Sequence, residues 1–311
     1  MSETAAIELR KFSKWYGRII AVNDVSVGID RGVTGLLGPN GAGKTSLLRC
    51  MSGQMRPSLG AVRILGQDPW RNPALARDIG LCTDQGWLMD ELTPAELIGF
   101  DLRLRGVEEG KTRDRAIEAL EQFDLGHAVD RRINTLSRGT RQRVKLAQAF
   151  AYDPEVLLLD EPLTGIDPVA RATTVKRIKE RGAAGRCVLV SSHVLHEVES
   201  MTEQVLLLHK GRLVAYGNAM EIRDLLDQHP HRIAVECDRP RDLARAMVDL
   251  PSVQGFSFPS ESVVELHTKQ PDECYAAVPA RALEANIKIR RLTSPDATLE
   301  MLFRYLVGEG S

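Results

Sequence analysis

A chain of 311 residues with 43% hydrophobic and 27% charged side chains has globular composition and is long enough for two domains with separate cores. Its net charge of −1 excludes a global electrostatic pull toward nucleic acid or anionic lipid. The five cysteines, Cys50, Cys82, Cys187, Cys237 and Cys274, are dispersed with no CxxC pair, which suits buried or free thiols in a reducing cytosol better than a disulfide framework or zinc site.

In chain order, "MSETAAIELRKFSK" has no apolar core of a secretory signal. "IELRKFSKWY" and "VNDVSVGID" alternate like strands, and "GVTGLLG" is a short apolar strand ending in a glycine loop. "KTSLLRCMSGQM" has helical spacing; Pro57 and Gly60 close it and lead into a strand at "AVRILG". From Thr93 to Asp124 two helices are predicted, the first with Thr93 as cap, Pro94 at the first position and Glu96 completing a capping box. This helical block interrupts the α/β pattern as an inserted subdomain, about residues 87–150. The pattern resumes with a helix at "RQRVKLAQAFAY", stopped at Asp153-Pro154, and the strand "EVLLLDEP". A helix at "ARATTVKRIKERGAAG", a strand at "CVLVSSH" and a hairpin turning at Lys210-Gly211 follow. Uninterrupted apolar strands between helices indicate an α/β core with a parallel sheet covered on both faces.

Near residue 229 the pattern changes to strand, helix, strand, strand, helix, strand, the order of a small ferredoxin-like α+β domain over 229–311 beside a 1–228 core. A last helix, "ATLEMLFRYLVG", follows Pro295. No apolar run approaches the ~20 residues that span a bilayer, so the chain reads as soluble, with any membrane role carried by a partner.

"GPNGAGKT", Gly38 to Thr45, fits G-x-x-x-x-G-K-[ST] between a strand and a helix. Gly38, Pro39, Asn40, Gly41, Ala42, Gly43, Lys44, Thr45 and Ser46 are therefore candidate phosphate-binding residues. The glycines let backbone N–H groups turn onto phosphate oxygens, and the helix N-terminus adds its dipole. Lys44 suits the β- and γ-phosphates and the Thr45 hydroxyl suits Mg²⁺. "VLLLDEP" puts Asp160 and Glu161 at the C-terminal end of a buried strand, where ligands lie in open parallel sheets. Asp160 is a candidate for the Mg²⁺ shell and Glu161 for polarising the attacking water. "VLVSSH" ends a similar strand with His193. In "LSRGTRQRVKLA", Ser137 and Gly139 stand just ahead of a helix, a second anion-binding terminus that one nucleotide cannot readily use together with the loop.

The ordered set of glycine loop, "LSRG", "LLLDEP", "GIDP" and "SSH" resembles the ATPase subunit of ATP-binding cassette (ABC) transporters over roughly residues 7–225. The resemblance implies an α/β P-loop NTPase core with a mixed sheet and a helical subdomain, and a head-to-tail dimer with each ATP held by one subunit's loop and closed by Ser137, Arg138 and Gly139 of the other. It implies that Tyr16 stacks on adenine, Gln85 reaches Mg²⁺ and the attacking water, Asp167 communicates across the dimer, Glu161 is the base and His193 contacts the γ-phosphate. The family's LSGGQ is here "LSRGT", with Arg138 and Thr140 in place of Gly and Gln. "MDELTPAEL" and the tail residues Pro295, Leu299, Glu300 and Phe303 resemble the ABC-2 type exporter group. That resemblance implies a separate membrane permease, a homodimer of ATPase subunits, a place on the inner face of the cell membrane, and no nucleic-acid partner. The alternative is a soluble cassette ATPase acting on ribosomes or DNA. A single loop, the lack of heptads and near-zero net charge favour the transporter reading.

Overall fold

The computed structural model describes residues 5–83, 89–218 and 231–293. The chain divides into two compact units, Met1–Asn218 and Ala219–Ser311.

In the first unit, β1 (Ile7–Tyr16), β2 (Ile19–Ile29) and β4 (Leu59–Ile64) form an antiparallel sheet in the order β2-β1-β4. Its pairing runs from Ile7 opposite Ile29 to Tyr16 opposite Ile19, and alternation buries Ile7, Leu9, Val25, Val27, Ile29, Val62 and Ile64. A register shift between Leu9 and Phe12, with Lys11 at φ 47°, brings Phe12 onto the same buried face.

The second sheet has the order β5-β6-β7-β3-β8-β9. Its strands are β3 (Gly32–Leu37), β5 (Ile79–Cys82), β6 (Val156–Asp160), β7 (Cys187–Ser192), β8 (Gln204–His209) and β9 (Arg212–Asn218), all parallel except the β8–β9 pair. Every residue of β6 and β7 is buried because each sheet face carries its own core. Val156, Leu158, Cys187 and Leu189 pack with Ile7, Phe12, Leu47 and Met51 on one face. Leu157, Leu159, Val188 and Val190 pack with Ile98, Leu120, Val144 and Ile178 on the other. The β8–β9 hairpin turns at Lys210-Gly211, both at positive φ (45° and 78°), which matches the twist of antiparallel strands.

Between β5 and β6 the chain forms α2 (Pro94–Leu104), α3 (Glu109–Glu121) and α4 (Arg138–Phe150), after α1 (Lys44–Met51) in the loop-bearing segment. The Thr93 capping box is complete: the Thr93 hydroxyl accepts from Glu96 N and the Glu96 carboxylate accepts from Thr93 N. The aromatic rings of Phe123 and Phe150 pack within the core of this helical layer, edge to face with centroids 5.2 Å apart. After β6 come α5 (Pro168–Ala183) and, beyond β7, the short α6 (Leu195–Glu199). All five cysteines are buried and none is in a disulfide; burial pushes the Cys50 thiol up to about 11 and the Cys187 thiol up to about 12.

The second unit runs β10 (His231–Cys237), α7 (Pro240–Met247), β11 (Val253–Ser260), β12 (Val263–Thr268), α8 (Pro271–Glu284) and β13 (Ile289–Thr293). Its antiparallel sheet has the order β11-β12-β10-β13, a split β-α-β arrangement. Ile233, Val235, Val264 and Leu266 alternate onto one face and pack against Leu243, Met247, Cys274 and Val278 of the two helices. The last helix expected from the sequence lies outside the described residues, as does the expected boundary near 229. No described helix is long and apolar enough to cross a membrane.

Candidate functional site

The parallel register brings three chemistry-bearing strand ends to one edge of the sheet. Leu37, which leads into the glycine loop, lies beside Ser192, and Ser191 lies beside Asp160. Ligands collect at such a carboxyl edge. The loop, Gly38 to Gly43, is braced from β8 and β9: Gly211 N donates to Ala42 O at 3.0 Å. Gly43 is a glycine for two reasons, φ of 104° and a backbone so close that an added Cβ would lie 2.3 Å from Ala21 O. Being the N-cap of α1, it offers no side-chain acceptor, and the first turn holds no acid. The first N–H groups of α1, with Lys44, Thr45 and Ser46, thus face a place for an outside anion.

Lys44 is buried, and its Nζ donates to Gly38 O at 2.7 Å and Pro39 O at 3.4 Å, inside the loop's own curve. The same ammonium is 3.6 Å from Glu161 Oε1. Thr45 Oγ1 donates to Asp160 Oδ2 at 2.7 Å, and the Ser191 hydroxyl donates to Asp160 Oδ1. His193 Nδ1 is 2.9 Å from Glu161 Oε2. Lys44, Thr45, Asp160, Glu161 and His193, read separately in the sequence, therefore form one connected cluster. Ser191 belongs to it and was missed; the available signal was a hydroxyl at the end of an otherwise apolar buried strand, where it must find partners.

Tyr16 lies at the end of β1, half exposed, with its hydroxyl 3.3 Å from Ser46 Oγ and 3.1 Å from Met55 Sδ. Lys14 Nζ is 5.3 Å from the ring centroid. Gln85 lies outside the described residues. Pro39, Asn40, Gly41 and Ala42 make up the rest of the loop, and an added Cβ at Gly41 would meet nothing within 4 Å.

Ser137, Arg138, Gly139 and Asp167 form a second cluster. Ser137 is the N-cap of α4, its hydroxyl accepting from Thr140 N at 3.2 Å. That cap starts the helix at Arg138, so Arg138 and Gly139 lie in its first turn rather than ahead of it, as the sequence suggested. Asp167 caps α5 by accepting from Ala170 N at 3.0 Å, and this bond holds its carboxyl below the usual range. Gly139 packs on Gly165, two residues before Asp167. Among the described residues no hydrogen bond or ion pair joins Ser137, Arg138, Gly139 or Asp167 to residues 38–46.

The donor set decides which groups fit. Hydroxyl and carboxylate oxygens at Thr45 and Asp160 are hard ligands too few for an all-protein cage, and no group of three or more His, Cys, Asp or Glu among the described residues could hold a metal alone. That suits a small divalent cation completed by substrate phosphate and water. The glycine loop with a buried lysine suits the phosphate chain itself.

Such a carboxyl edge is that of a P-loop nucleotide hydrolase. Residues 22–164 match the ABC transporter family. The doxorubicin resistance ATP-binding protein DrrA of Mycobacterium tuberculosis is 36% identical over 227 residues, 71% of this chain and 68% of the relative. The Nod factor export ATP-binding protein I of Cupriavidus pinatubonensis is 32% identical over 314 residues, 98% of this chain and 91% of the relative. A solved structure described as the ATP binding subunit of an ABC transporter aligns at TM-score 0.66 and 29% identity, covering 71% of this chain and 93% of that one. The chain belongs to the ABC transporter family, as a subunit that binds and hydrolyses ATP to power a transporter. These relatives support the transporter reading over a cassette directed at ribosomes or DNA.

Proposed function

We propose that this subunit drives export through a separate integral-membrane permease, working as a homodimer on the inner face of the cell membrane. The observation that carries the dimer is the separation just described. One cluster holds the phosphate loop and carboxylates, and the other holds a capped helix terminus with no nucleotide loop of its own. A second copy, head to tail, supplies Ser137, Arg138 and Gly139 to the ATP on the first copy's loop, and Asp167 lies at the same junction. Export is supported by the relative that spans nearly this whole chain and carries export in its name.

Within the site, loop residues 38–43 and the N–H groups at Lys44, Thr45 and Ser46 bind the phosphate chain, and Tyr16 stacks on adenine. The Lys44 ammonium neutralises the β- and γ-phosphates, exchanging part of its contact with Gly38 O for phosphate oxygen. Thr45, Asp160 and Gln85 hold Mg²⁺, which when bound neutralises charge on the phosphoryl oxygens. Glu161 accepts a proton from the attacking water, and His193, already hydrogen-bonded to Glu161, fixes its orientation and reaches the γ-phosphate.

Substituting Glu161→Gln keeps the shape but removes the base. The expected result is unchanged ATP binding, turnover lowered by roughly 10²–10⁴-fold, and a dimer that accumulates with ATP in size-exclusion chromatography. Normal turnover in this variant removes Glu161 from the role of base. Lys44→Ala is expected to weaken ATP binding, measured by titration calorimetry, and unaltered affinity overturns the loop assignment. Co-purification with a polytopic membrane protein tests the permease.

A further inference from the structure

We propose that Ser191 is a positioning residue for hydrolysis, setting the orientation of both Asp160 and Glu161 through one buried hydroxyl. Ser191 is the fifth residue of β7, after four apolar side chains, and is 0% exposed. Its Oγ donates to Asp160 Oδ1 and accepts the backbone N–H of Glu161 at 3.1 Å, while its carbonyl accepts the same N–H at 3.2 Å. One side chain thus ties the carboxylate of the first acid to the backbone of the second.

Each bond has a consequence. Asp160 has two oxygens, and with Oδ1 occupied by Ser191, Oδ2 is the one directed at Thr45 Oγ1, 2.7 Å away. The hydroxyl therefore holds the carboxylate in the orientation that presents its other oxygen to the cation-binding threonine, the task that a partner behind a metal ligand performs. Glu161 sits at φ 48°, a left-handed conformation that a non-glycine residue keeps only where its surroundings fix it. The paired acceptors of Ser191 fix it. From that backbone the Glu161 carboxylate reaches both Lys44 and His193. Loss of the Ser191 hydroxyl frees Asp160 to rotate and leaves Glu161 N with a single acceptor.

The proposal rests on the roles given above to Asp160 and Glu161, and its test separates the two. Ser191→Ala and Ser191→Thr are prepared in the full chain, and ADP affinity is measured without metal before magnesium is titrated into the ADP complex. For Ser191→Ala, metal-free ADP affinity stays within about two-fold, while magnesium affinity and kcat each fall by roughly 10–100-fold and KM for ATP changes little. Ser191→Thr, which keeps a hydroxyl, restores most of both. The proposal is overturned if Ser191→Ala binds magnesium as the parent does, if it loses metal-free ADP binding equally, or if Ser191→Thr is as impaired as the alanine variant. Normal hydrolysis by Glu161→Gln would instead remove the base assignment, while the magnesium titration still tests the Ser191–Asp160 bond.

Discussion

Gly139 is fixed by packing as well as by its place in the helix terminus. A Cβ added there would lie 2.5 Å from the carbonyl oxygen of Gly165, a backbone atom that cannot swing away like a side chain. Gly165, at φ 75°, has the stem of Arg138 across it, with side-chain atoms 3.4–3.6 Å from where its own Cβ would be. The first turn of α4 therefore rests directly on the turn that precedes Asp167. Gly139→Ala should destabilise the protein by about 1–3 kcal/mol, the usual result of forcing a methyl into a filled site. Urea unfolding would measure this, and an unchanged midpoint would mean that the Gly165 turn yields at little cost. Because Gly139 makes no bond to residues 38–46, ATP affinity of the isolated subunit should stay the same.

Elements are joined at the opposite end of β6 by charge. Arg31 Nη1 donates to Glu155 Oε2 and to Gly185 O, both at 2.7 Å, and Arg186 reaches Glu155 and Asp153. The Arg31 hydrogen bond, seconded by Arg186, holds the Glu155 carboxyl below the usual carboxylate range. A depressed carboxylate contributes stability that is present above its unfolded pKa, about 4.3, and is lost as pH falls through the lower folded value. Glu155→Gln should therefore be less stable than the parent at neutral pH. The difference should vanish at pH values well below 4.3, and it should be modest because the group is partly solvated. Chemical denaturation across that range decides it; a difference independent of pH would assign the effect to packing.

Much of this element-scale structure was legible. Thr93, Pro94 and Glu96 announce α2 because a capping box is local chemistry. The unbroken apolar runs of β6 and β7 announce burial on both faces, and Lys210-Gly211 announces the hairpin. The start of α4 was misplaced because a glycine reads as a breaker, whereas the Ser137 cap and the Gly165 contact make it a helical residue. Within the site, the loop, the paired carboxylates and the histidine were legible as motifs. Ser191 was not, since its partners are 30 and 31 residues away and only strand register brings them together.

At the scale of the molecule, most of the buried apolar side chains among the described residues fall into three clusters with no residue in common. Two lie on opposite faces of the six-stranded sheet and frame the carboxyl edge that holds the site. The third is built entirely from residues 233–287, none of which belongs to the proposed site. Leu266 is fully buried in that third cluster. Its replacement by alanine leaves a cavity and should weaken the second unit by roughly 2–5 kcal/mol. Calorimetry of the full chain, with and without ATP, separates the consequences. Nucleotide stabilises whichever folded unit holds it, by mass action, so ATP should raise the transition of residues 1–218 in parent and variant alike. Leu266→Ala should lower a different transition and leave ATP affinity unaltered. A parallel loss of ATP affinity and stability would show that the third core supports the nucleotide site, and would make the second unit a structural part of the hydrolase.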